Sequence, residues 1–125
     1  MAGLEGGPRG SGSPGGGPGE DGLWVLVTTL PSREAALALA RRVVTAGLAV
    51  CAQTGADLVS VYAWQGVVRE EGEVALALKV RGDRLEEALA RVAEWHPYEV
   101  PQLLAWRAER VGEAYARWAR GQGAP

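Results

Sequence analysis

At 125 residues with a formal net charge of −2, the chain has the length of one domain, and its scattered basic residues leave no electrostatic footprint for nucleic acid. The single cysteine, Cys51, excludes an internal disulfide and suits a reducing, cytoplasmic setting. No apolar run approaches the roughly 18 residues of a membrane span, so no membrane partner is expected.

Residues 1–22 hold ten of the eighteen glycines and three of the seven prolines. They have little to bury against a backbone ordering cost of roughly 1–2 kcal/mol per residue, and read as a disordered tail. They lack the basic start and apolar run of a signal peptide. The GxGxxG match in "GSGSPG" (10–15) has no strand before it and no helix after it, and reflects composition alone.

From Leu23 the pattern becomes that of a folded domain, 23–120. "LWVLVTTL" (23–30) predicts a strand that is apolar on both faces and is stopped by Pro31. Ser32 is placed to cap an alanine-rich helix that Gly47 closes. A strand region from Leu48 to Trp64 follows, irregular around Gly55. Gln65-Gly66 then reverses the chain into "VVREEGEVALALKV", where Gly72 is a candidate bulge. Asp83 and Glu86 have the spacing of a capping box for a second helix. Leu85, Ala88, Leu89, Val92 and Trp95 form its apolar stripe, and Pro97 ends it. Pro101 breaks the chain again before a strand over 103–109, and "EAYARWAR" after Gly112 predicts a short last helix.

The order β-α-β-β-α-β plus a helix predicts an α+β, ferredoxin-like sandwich, with a four-stranded antiparallel sheet and two helices on one face. One feature does not suit a monomer. Val74, Leu76, Leu78 and Val80 alternate with Ala75 and Ala77, so both faces of this strand are apolar, as they are in the first strand. A second copy of the chain is the expected cover.

His96, the only histidine, lies in "EWHPYEVPQ" (94–102) within one turn of a helix C-terminus, where the macrodipole favours a protonated ring. Its ligand reading is set against a structural one, in which the segment ends a helix and turns the chain. Pro97 and Pro101 are structural on the same argument. Cys51, between Val50 and Ala52, reads as a small buried hydrophobe. As a nucleophile it would need His96 as its base. Glu70, Glu71 and Glu73 read as a solvated hairpin face with weak capacity for hard cations.

The motifs "GLAVCAQ", "SVYAWQGVV", "REEGEVALALKVR", "WHPYEVPQLLAW" and "GEAYARW", in this order, resemble the CutA divalent-cation-tolerance family over roughly residues 23–118. The resemblance implies a compact homotrimer in which the long hairpin reaches over a neighbour's sheet. It also implies a response to divalent metals, copper among them, with no reaction attached and no cofactor required. The trimer is similar to that of PII signalling proteins, which bind small ligands between subunits. On that alternative, Tyr62, Trp64, Lys79, His96, Tyr98 and Glu99 are the candidate cleft residues for a metal ion or small anion. His96 and Glu99 are the candidate metal ligands. The chain departs from the family pattern at Trp95, where some members carry His, at Gln102, where Glu is usual, and at Val67, where Lys is common.

Overall fold

The computed structural model describes residues 22–122. The tail expected over 1–22 lies, Gly22 apart, outside the described residues. The elements run β1 (Leu23–Leu30), α1 (Arg33–Thr45), β2 (Cys51–Trp64), β3 (Val67–Arg81), α2 (Leu85–Trp95), β4 (Leu104–Arg107) and α3 (Glu113–Arg120). They build one four-stranded sheet in the order β2-β3-β1-β4, with every neighbouring pair antiparallel. The expected β-α-β-β-α-β order is therefore present, as a mixed α/β fold with three helices.

Local chemistry sets the ends of α1. Ser32 is extended, and its hydroxyl accepts the Ala35 N–H at 3.1 Å, satisfying one of the helix's unpaired donors. At the other end Gly47 takes φ 76°, which costs glycine little. Its N–H donates to the Val44 carbonyl and that of Leu48 to Val43, a Schellman closure. Gln65 (φ 52°) and Gly66 (φ 80°) make the β2–β3 reversal, with the paired positive φ angles that suit a twisted hairpin.

Both long helices lie on one face of the sheet. Ala36, Leu39 and Val43 of α1 and Ala88 and Val92 of α2 share one core with Leu26, Leu76 and Leu78. Each fully buried leucine contributes about 1.5–3 kcal/mol. The Arg42 guanidinium lies 4.0 Å above the Trp95 ring and links the two helices at their rim.

Some local expectations need correction. Asp83 does not cap α2, and no capping box forms, because α2 is entered through a single 3₁₀ turn (Gly82–Arg84) and has no side-chain cap. Arg81 grips the Asp83 carboxylate instead, donating at 2.9 Å from Nε, and also donates to the Gln122 carbonyl at 2.6 Å. An ion pair plus a tie to the end of α3 outcompetes a local cap. The β2 register shifts between Gly55 and Asp57, so the irregularity is there, whereas Gly72 simply pairs with Val59. Strand β2 starts at Cys51, not Leu48, and β4 is shorter than 103–109.

Among the described residues, the face opposite α1 and α2 is covered only at one end, where Ala119 of α3 packs with Leu23 and Val50, and Cys51 lies against them. Cys51 is thus half-buried rather than enclosed. Register places Val25, Val27, Ala75, Ala77, Leu104 and Trp106 on the rest of this outer face. Leu104 is 55% and Trp106 49% exposed. Beyond the Leu30–Val74 pair, β2 and β3 leave the sheet as a two-stranded arm reaching to Gln65-Gly66.

Candidate functional site

Glu73 stands where the sheet becomes the arm. It is the first residue of β3 past the last β1 pair, and it points to the outer face because it shares the parity of Ala75 and Ala77. Ser60, on the same face of β2, donates to one carboxylate oxygen at 2.6 Å. Thr29 of β1 and the Tyr98 hydroxyl donate to the other, at 3.1 and 2.9 Å. Three hydroxyls from separate parts of the fold thus converge on one half-buried carboxylate. Burial works to raise the Glu73 pKa. The bonds from Ser60, Tyr98 and Thr29 outweigh it and hold the group below the usual carboxylate range. The reading of Glu73 as part of a solvated hairpin face is corrected accordingly, while Glu70 and Glu71 are exposed.

His96 follows α2 in extended geometry, the conformation a residue before proline prefers, and is only 7% exposed. Its Nδ1 accepts the Tyr98 N–H at 3.1 Å. The proton therefore sits on Nε2, which donates to the Thr29 carbonyl at 2.9 Å and lies 3.0 Å from Thr28 Oγ1. Burial lowers the imidazole pKa, against the opposing pull of the Thr29 carbonyl and Glu73. The protonation expected from the helix terminus is thus overturned: the ring is neutral because it is buried and its acceptor nitrogen is used. Tyr98 packs its ring 4.9 Å from that of His96. Burial and Glu73 push the Tyr98 hydroxyl far above its ordinary value, so it keeps its proton.

The other candidate residues fall into separate places. Tyr62 lies on the outer face of the arm beside Glu71, whose hydrogen bond raises its pKa. Trp64 is at the arm's tip and half exposed. Glu99 is exposed on the turn after His96. Lys79 is not with them. It pairs with Cys51 and Val25 near the other end of β3 and donates to the Gln53 side chain. Tyr62 pairs with Arg69, ten residues earlier on β3, about 33 Å away at the rise of a strand. One chain therefore does not assemble the whole expected cleft. Nor does it pair Cys51 with His96: Cys51 lies opposite Lys79, whereas His96 is seated on Thr28 and Thr29, whose β3 partners are Leu76 and Ala75.

Thr28, Thr29 and Ser60 are the members of this cluster that pattern reading misses. Strand parity alone puts Ser60 and Glu73 on one face, but the reach of Tyr98 back to Glu73 spans 25 residues and has no sequence signal.

A small α/β chain with one clothed sheet face, one apolar face bare among the described residues and a projecting arm is the class that this geometry defines. Residues 24–122 match the CutA1 divalent ion tolerance protein family, and the chain belongs to it. It is 34% identical over 96 residues to the divalent-cation tolerance protein CutA of Thermus thermophilus, covering 77% of this chain and 93% of that protein. It is 33% identical to the chloroplastic protein CutA of Arabidopsis thaliana, again over 77% of this chain but only 53% of that longer protein, so it spans about half its length. The solved CutA1 structure from Ehrlichia chaffeensis shares the fold with a TM-score of 0.80 at 24% identity, over 84% of this chain and 98% of that one.

The described side chains do not form a tight transition-metal site. Both His96 nitrogens are engaged, and among the described residues no group of three or more His, Cys, Asp or Glu side chains is placed to hold a metal ion. Among the described residues, no helix is long and apolar enough to cross a membrane.

Proposed function

We propose that this ferredoxin-like chain works as a PII-like homotrimer that takes part in the response to divalent metal ions, binding cations weakly and catalysing no reaction. The observation that carries the reading is the bare outer face, with Leu104 and Trp106 half exposed beside Val25 and Val27, and an arm extending from it on which Val59, Val61 and Val68 are exposed. Further copies of the chain are the cover we assign to it. The names of the relatives support the link to divalent cations. The exposed carboxylates Glu70, Glu71 and Glu99 suit weak, oxygen-based binding. Copper at His96 would have to displace the Tyr98 N–H or remove the Nε2 proton, and each costs a buried hydrogen bond of about 1–3 kcal/mol. Glu73, Tyr98 and His96 direct their polar atoms to one another and to the backbone, which supports a role without acid–base catalysis. A cytoplasmic location is part of the proposal and rests on the single cysteine.

Calorimetric titration of the full chain with copper and with zinc tests the reading. Dissociation constants weaker than about 1 μM, unchanged in His96→Gln, are expected, which corresponds to less than about 8 kcal/mol of binding free energy. Stoichiometric submicromolar binding that His96→Gln abolishes would overturn it. A nucleotide or small anion that raises the melting temperature where cations do not would favour ligand capture between subunits.

A further inference from the structure

Glu73 is more than a satisfied carboxylate, because of where its partners come from. Thr29 belongs to β1, inside the four-stranded sheet. Ser60 belongs to the free part of β2, past the register shift at Gly55–Asp57. Tyr98 belongs to the turn that links α2 to β4, and its own N–H is held by His96 Nδ1. The carboxylate therefore joins sheet, arm and turn at the one level where β3 loses β1 as a neighbour and the arm has only its own ladder to direct it. A two-stranded ribbon alone twists and bends readily, so its exit angle needs a fixed point. Bonds from hydroxyls to an ionised carboxylate are roughly twice as strong as neutral ones, and three of the carboxylate's about four acceptor positions are filled.

We propose that Glu73 is a positioning residue that sets the direction in which the β2–β3 arm leaves the sheet, and that through Tyr98 it ties this direction to the turn carrying His96 and Glu99. Arm and turn then move as one unit. Whatever alters the turn is felt at Ser60, and whatever grips the arm is felt at Tyr98. All three bonds lie within one chain, so the link itself forms without a second copy.

The test uses the full chain with Ser60→Ala, Tyr98→Phe, both together, and Glu73→Gln, reading backbone amide exchange segment by segment. Ser60→Ala and Tyr98→Phe each remove one hydroxyl and leave the core intact, so they carry the test even if Glu73→Gln folds poorly. Each should raise exchange at least tenfold in the arm (57–72) and leave β1 and the sheet part of β3 (74–81) unchanged. The double variant should exceed the larger single variant by less than twofold, since either change alone opens the same link. Light scattering on the same samples reads assembly separately. An unchanged arm, effects that multiply in the double variant, or a rise spread evenly over the sheet would overturn the proposal.

Discussion

Leu78 and Val68 lie on the same face of the same strand, yet Leu78 is 0% exposed and Val68 71% exposed. The first sits under α1 and α2 with β1 and β2 on either side, whereas the second sits in an arm flanked by β2 alone. On this face Leu78 has Leu76 and Val80 as neighbours, whereas Val68 has Gly66 and Glu70; even so, a period of two states which residues share a face and not what lies over it. Cover comes from topology: where β1 ends at Leu30, the two-layer sandwich ends too.

The strongest way to sharpen this contrast is to cut into the covered region. Leu78→Ala should destabilise the fold by about 2–5 kcal/mol, read by urea denaturation, through lost burial and a residual cavity. A loss under about 1 kcal/mol would mean that the inner face is looser than its burial indicates. The outer face should respond differently. Trp106→Glu places a charge among Val25, Val27 and Leu104, and should leave the secondary structure intact by circular dichroism while lowering the mass of the assembly. An unaltered assembly would place the interface elsewhere.

Much of the fold is legible in the sequence, and for identifiable reasons. Ser32, Gly47, Gln65-Gly66 and Pro97 each act within a few residues, so their effects follow from backbone chemistry alone. Asp83 is misjudged because Arg81, two residues before it, takes its carboxylate, and Arg81 is itself held by carbonyls at the end of α3 that lie 39 and 41 residues further on. The site suffers more from this limit. Tyr98, Glu73 and Thr29 meet only after β1, β3 and the turn have been brought together, and the neutral state of His96 follows from burial that sequence position does not reveal.

His96 joins the two regions, and smaller effects are expected there. Replacement by Gln should cost about 1–2 kcal/mol, the range for lost buried hydrogen bonds. Its pH signature is distinctive. Burial depresses the folded pKa below the ordinary 6.5, so the unfolded chain takes up the proton first. The contribution is complete above that value and is lost as pH falls through 6.5 toward the folded pKa. Denaturation midpoints measured between pH 8 and pH 5 should fall in the unmodified protein and flatten in His96→Gln. Equal slopes would mean that the ring is solvated. Smallest of all, Ser32→Ala should remove about 1 kcal/mol with no change in assembly, since its hydroxyl serves only the start of α1 in the covered layer. A neutral result in urea denaturation would mean that water replaces the cap.

The central claim is that the bare face and the arm are completed by further copies of the chain. Light scattering coupled to gel filtration, carried out on the full-length protein from high to low micromolar concentration, tests it most directly. The account predicts a single species of about three times the 13.1 kDa chain mass, persisting on dilution. A species of 13.1 kDa across the whole range would contradict it, and would show that this sheet keeps its apolar face in water.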